Sequence, residues 1–176
     1  MEWNADFAYL VGLITTDGNL SKDGRHIIFV SKDIDQIETV KRILKLNCKI
    51  GTKKGSYSSA KIYHYVQFSN VALYRFLISI GLMPNKTKIL KELNIPDKYF
   101  CDFLRGHLDG DGYTYSLWDK RWKSSFRLYT TFMSASKTHL VWIQNKISEY
   151  YKVTGKLNYY GRSVYYLVFA KAKSLV

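Results

Sequence analysis

Two aspartates, Asp17 and Asp111, each close an apolar stretch of the same outline. "LVGLITTDG" runs from Leu10 to Gly18 and "LRGHLDGDG" from Leu104 to Gly112, and both read L-x-G-x-[IL]-x-x-D-G. As helices, Leu10, Leu13 or Ile14, and Asp17 share one face, and so do Leu104, His107 or Leu108, and Asp111. A glycine inside a helix costs about 1 kcal/mol relative to alanine. The recurrence of Gly12 and Gly106, one position off the stripe, therefore calls for a close neighbour. The economical neighbour is the other copy, with the two helix backbones in contact and both carboxylates at one end of the seam. Carboxylates at paired helix C-termini repel each other and oppose the helix dipoles, and a hard divalent cation answers both problems. A single D-G after a helix reads as an ordinary turn; two copies in register favour chemistry. Asp109 is matched by Thr15, so only Asp17 and Asp111 are equivalent acids. Gly18 and Gly112 are expected to end both helices as C′ residues.

The repeat extends beyond the motifs. "FVSKDIDQIETVKRIL" (residues 29–44) lies on "FMSASKTHLVWIQNKI" (residues 132–147), so that Ile37, Val40 and Leu44 match Leu140, Ile143 and Ile147 on one helical face. Ser31 and Ser134 precede these helices as N-caps. "YHYVQFSN" lies on "YYLVFAK", both strand-like. Each copy therefore reads helix, strand, strand, helix, strand, strand, with first-copy strands near 19–22, 26–31, 49–54 and 61–69. The first copy continues into an amphipathic helix, "VALYRFLISIGL", stopped by Gly81, and the second has no counterpart in the sequence given. The hairpin holding "SLWDKRWKSS" makes the second copy longer there. The expected organisation is a first repeat over 1–83, a connector over 84–97 and a second repeat over 98–176.

Composition narrows the partner. There are 27 Lys and Arg against 14 acids, a net charge of +13 over 176 residues. Eleven basic residues and no acid lie between Glu38 and Glu92, and from Lys120 to Val176 there are again eleven, with Glu149 the only acid. Two matched basic halves suit a long polyanion, with nucleic acid the first candidate. Cys48 and Cys101 are the only cysteines and have no metal-ligand spacing, so neither a disulfide scaffold nor a zinc module is indicated, and a reducing compartment is expected. No apolar run approaches a membrane span. The expectation is a soluble intracellular protein, in cytoplasm or an organelle matrix, with no membrane partner.

The two motifs, over nearly the whole chain, resemble those of the LAGLIDADG homing endonucleases in their single-chain form. The resemblance implies an α+β fold of two pseudo-symmetric αββαββ(α) repeats. Motif helices would pack at the centre and antiparallel sheets would form a DNA-binding saddle. It implies a monomeric, site-specific double-strand DNA endonuclease that needs no protein partner, takes a long target and leaves 3′ overhangs. Asp17 and Asp111 would bind Mg²⁺, with the backbones of Thr16 and Gly110 as further ligands. Mn²⁺ would substitute, and Ca²⁺ would bind without efficient cleavage. Lys86 resembles the family's basic residue near the metal, and Lys32 falls where the family places a water-organising side chain; the matching positions of copy two offer Ala135 and no lysine. Thr15, His107 and the absent final helix depart from the pattern. Relatives of this fold also include intron RNA maturases and transcription-regulator-like DNA-binding proteins, so the alternative is a binder that does not cut.

A two-stranded ribbon fits the major groove and presents alternate side chains to base edges. The four hairpins offer Asn19, Ser21, Lys22, Arg25 and His26, then Lys53, Lys54, Ser56 and Lys61, then Tyr113, Tyr115, Arg121, Lys123 and Arg127, and finally Lys156, Tyr159 and Arg162. Each is either a nucleic-acid contact or a solvated charge. Trp118 and Trp122 pack on the DNA backbone or on each other. His64 and His107 read as packing residues.

Overall fold

The computed structural model describes residues 1–55, 61–118, 121, 125–161 and 163–174. The chain divides into two compact units, Met1–Lys86 with Leu93–Gly110, and Thr87–Glu92 with Asp111–Val176. The second motif helix thus packs, through Gly110, with the first repeat.

In the first unit, α1 (Ala5–Asp17) is capped by Asn4, whose Oδ1 accepts from the Phe7 amide at 2.8 Å. Its run of Leu10, Val11, Leu13 and Ile14 is almost wholly buried, so α1 is enclosed on most sides rather than amphipathic. The chain passes directly into β1 (Gly18–Leu20), then β2 (His26–Ser31), α2 (Ile34–Leu44), β3 (Gly51–Lys54), β4 (Ile62–Ser69) and α3 (Val71–Ser79). The strands form an antiparallel sheet ordered β1-β2-β4-β3. Alternation gives it one packed face. Leu20, Ile27 and Phe68 are paired across it, as are Phe29 and Val66, and these sit with Ile37, Val40, Leu73 and Leu77 in the core. The other face carries Asn19, His26, Ile28, Tyr65 and Gln67. Two short 3-10 turns, Lys86–Lys88 and Asp97–Tyr99, precede α4 (Phe100–Asp111).

The second unit repeats the plan with β5 (Gly112–Trp118), β6 (Ser125–Ser134), α5 (Lys137–Tyr151), β7 (Lys156–Tyr159) and β8 (Tyr165–Ser174), ordered β5-β6-β8-β7. Phe132 and Leu167 face α5, where Leu140 and Ile143 are fully buried. The longer hairpin is made by longer strands: β5 runs through Trp118 and pairs with Phe126, whose ring meets the indole at 5.3 Å.

Two local expectations are corrected. The caps of α2 and α5 are Asp33 and Ser136, not Ser31 and Ser134. Each earlier serine instead accepts, through Oγ, the amide two residues on, Asp33 N at 3.0 Å and Ser136 N at 3.1 Å. That serine turn must carry the chain out of its strand before a helix can start. Gly18 is not a left-handed C′ residue either: it has φ −85° and ψ 148° and already belongs to β1, as Gly112 belongs to β5. Space, not φ, requires glycine at 18, since a Cβ would lie 2.7 Å from the Ile14 Cα.

Candidate metal and nucleic-acid site

The site is built where α1 meets α4. A Cβ on Gly12 would strike the Phe103 carbonyl oxygen and stand 2.7 Å from the His107 amide nitrogen. One on Gly106 would strike the Tyr9 carbonyl oxygen and stand 3.0 Å from the Leu13 nitrogen. Only glycines allow this approach. Further down the seam, Gly110 lies against Thr16, and its Cβ would fall on the Thr16 hydroxyl, 3.0 Å from Asp17 Oδ2. The half-buried carboxylate of Asp17 therefore reaches the backbone of the residue preceding Asp111.

Several groups hold these helix ends. Buried Lys86 donates from Nζ to the carbonyl oxygen of Gly18, setting an ammonium one residue beyond Asp17. Thr15 Oγ1 donates to the Val11 carbonyl at 2.7 Å and Thr16 Oγ1 to that of Leu13 at 2.9 Å, closing the last turn of α1 on itself. Asp109 is exposed and accepts at Oδ2 from the Tyr9 hydroxyl at 2.8 Å. Burial, and then the Asp109 hydrogen bond and charge, push the Tyr9 phenol up to about 12. The Arg105 guanidinium stands 4.8 Å over the Tyr9 ring. His107 is buried and edge-on to Phe103 at 6.0 Å.

Carboxylate and carbonyl oxygens at a helix C-terminus are the donors a hard divalent cation takes. The Cβ position of Gly110 is filled by Thr16, and glycine there lets the Asp17 carboxylate approach the α4 backbone. These donors fit such an ion, although the described residues contain no cluster of three or more His, Cys, Asp or Glu able to hold one by themselves.

The hairpin residues fall on defined faces. Asn19 is exposed on β1, and Ser21 and Lys22 follow that strand. His26 starts β2, its Nδ1 on Asp23 Oδ2, and Asp23 also accepts the Arg25 and His26 amides, each at 3.1 Å. The His26 hydrogen bond leads these contacts in holding the Asp23 carboxyl at about 2. Lys53 is paired with Tyr63 and shares the open face with Tyr65, whereas Lys54 is paired with Ile62 on the opposite side. Lys61 is exposed just before β4, and Lys32, also exposed, stands 5.4 Å over the Tyr63 ring. In the second sheet Tyr113, Tyr115, Arg127 and Lys156 occupy positions of one face, away from Phe132 and Leu167, and Tyr159 stands on the other beside Tyr165. Arg121 is exposed in the turn after β5. Ser56, Lys123, Arg162 and Trp122 lie outside the described residues.

Tyr9, Asp23, Gln36, Gln67 and Tyr129 join these residues with no motif in the sequence to mark them. Strand parity identifies Gln67 and Tyr129, which pair with Ile28 and Tyr115. The Tyr115 and Tyr129 rings stack at 4.6 Å and 5°.

Residues 4–81 match the family model described as LAGLIDADG-like domain. The chain has the LAGLIDADG fold. The chain is similar in structure to full-length DUF199/WhiA from Thermatoga maritima, with TM-score 0.61 and 14% identity over 96% of this chain and 52% of that one. The chain thus spans about half the length of DUF199/WhiA. It is also similar to the homing endonuclease I-WcaI bound to its DNA recognition sequence, with TM-score 0.61 and 16% identity over 95% of this chain and 77% of that one. For I-DmoI in complex with DNA and Mn the values are 0.56 and 19%, over 94% and 89%. At these identities the likeness is one of fold. No curated protein matches the chain. No helix among the described residues is long and apolar enough to cross a membrane.

Proposed function

We propose that this chain is a site-specific endonuclease of double-stranded DNA, hydrolysing phosphodiesters with Mg²⁺ and acting as a monomer. The observation that carries the reading is the contact of Asp17 with Gly110: the acid of one motif lies against the residue before the acid of the other. Repeated glycines and two retained carboxylates at such a point support hydrolysis over simple helix packing. Asp17 and Asp111, with the carbonyl oxygens of Thr16 and Gly110, would hold the divalent cation. When bound, the cation supplies charge neutralisation and polarisation at the scissile phosphate. Lys86 adds a fixed positive charge beside Asp17, and Lys32, over the Tyr63 ring, would serve as the water-organising side chain. The open faces of the two sheets bear on the duplex. Asn19, His26 and Lys53 on one, and Tyr113, Tyr115, Arg127 and Lys156 on the other, contact bases and phosphates. Kinship of fold with I-WcaI and I-DmoI, both solved with DNA, supports this use of the faces.

The likeness to DUF199/WhiA, as strong as that to I-WcaI, keeps a second reading: a nucleic-acid binder that does not cut. Incubation with a randomised duplex library and Mg²⁺, followed by sequencing of cut ends, separates the two. A recurrent cut site with 3′ overhangs supports the nuclease. Sequences retained intact at every site support the binder.

A further inference from the structure

Residue 109 is gripped at two points by side chains of two other helices. Tyr9 of α1 holds its carboxylate, and Gln36 of α2 holds its carbonyl oxygen with a 2.7 Å hydrogen bond from Nε2. That carbonyl lies in the last turn of α4, where helix geometry leaves oxygens without a partner. The other end of the Gln36 amide is committed as well, since Oε1 accepts from Ser31 Oγ at 2.8 Å. Ser31 closes β2. One half-buried amide thus bridges the end of a strand in the first sheet to the turn that ends in Asp111.

The matching residue of the second repeat makes a different contact. His139 stands where Gln36 stands, but its Nδ1 meets the Lys91 carbonyl at 2.8 Å, in the segment leading to α4 rather than on α1. The last turn of α1 is held by its own threonines, with Lys86 on the next residue. The end of α1 thus carries internal bonds and a cation, whereas the end of α4 carries a neutral amide from α2 beside the Tyr9 hydroxyl.

Building on the endonuclease reading, we propose that Gln36 is a positioning residue for the second motif. By fixing the carbonyl of residue 109, it sets the direction in which Asp111 presents its carboxylate. The strand cut that depends on Asp111 depends on Gln36, and the cut that depends on Asp17 does not.

The test uses the full chain with Gln36→Leu, which removes both bonds at similar volume, and Gln36→Asn, which keeps the amide but falls short. Strand-resolved cleavage of the target duplex should show one strand slowed about tenfold or more, the scale on which outlying partners of a metal site act. Nicked duplex should accumulate while DNA affinity holds. Equal slowing of both strands, or of neither, overturns the proposal. Amide hydrogen exchange gives a readout free of cleavage. Residues 110–113 should exchange about five- to tenfold faster in Gln36→Leu, and residues 15–18 as in the parent. Unchanged exchange at 110–113 overturns the proposal whether or not the protein cuts. A parent chain that cuts no duplex counts against the nuclease reading, and the exchange result then decides alone whether Gln36 holds this turn.

Discussion

The Tyr9 hydroxyl donates to the Asp109 carboxylate at 2.8 Å, across one hundred residues of sequence. The bond leaves a visible trace in alkali. The folded phenol titrates at about 12 rather than 10.0. Its contribution to stability is whole below pH 10 and is lost as pH rises through 12, because the folded state keeps the proton that the unfolded chain releases. Chemical denaturation between pH 9 and 12 should show this decline in the parent and a shallower one in Tyr9→Phe.

Asp17→Asn and Asp111→Asn keep shape and remove charge. Each should abolish or cripple double-strand cleavage while leaving DNA affinity intact or tighter, since a carboxylate without its cation repels phosphates. Asp109→Asn should be milder, as an amide oxygen still accepts from Tyr9. Ca²⁺ should support binding with little turnover. Separate measurement of affinity and cleavage on one duplex checks all three variants. Parental cutting by Asp17→Asn would reduce the motifs to a helix seam.

The helix crossing has no room for a methyl group. Gly106→Ala places carbon on the Tyr9 carbonyl, and Gly12→Ala on that of Phe103. Each should lower the unfolding free energy by about 1–3 kcal/mol or more, the usual range for overpacking where backbone must move. Urea titration gives the value. Gly24→Ala serves as contrast: nothing lies near its Cβ, though its φ of +79° adds strain without a clash.

Lys86→Met deletes a buried ammonium and leaves the Gly18 carbonyl without that donor. A loss of about 1–3 kcal/mol in stability is expected for the unpaired group. Cleavage of the strand served by Asp17 should fall further than the other. Thermal melting with strand-resolved kinetics distinguishes the two effects.

Duplex binding should weaken steeply with salt, because many phosphates neutralised together release counterions together. Lys53→Ala and Arg127→Ala, both on open-face positions, should each reduce the slope of log K against log salt. A parental slope equivalent to only one or two phosphates contradicts contact through both sheets.

Much of this was legible because the repeat doubled each signal. The motif glycines, the helical faces of Ile37 with Val40 and of Leu140 with Ile143, and β2 at His26–Ser31 follow from periodicity alone. Side-chain direction in the hairpins was less legible. Lys53 and Lys54 look alike in sequence, and only register separates them, a single step reversing the face. The holders of the motif ends were silent. Tyr9 and Gln36 reach Asp109 from 100 and 73 positions away, and neither has a polar counterpart doing the same in the other copy. A bond made once, between distant residues, leaves no periodic mark.

No loop separates α1 from β1 or α4 from β5. Asn19 on the first strand and Tyr113 on the fifth thus sit two residues from Asp17 and Asp111, with no slack in the chain between. On the proposed function, the innermost bases of the target are read by side chains rigidly geared to the acids. Lineages acquiring new targets should therefore drift freely at bases under Lys53 or Lys156, while the central bases stay tied to catalytic fitness. In selection for retargeted variants, changes at Asn19 or Tyr113 should surface as slow cutters before they surface as altered binders.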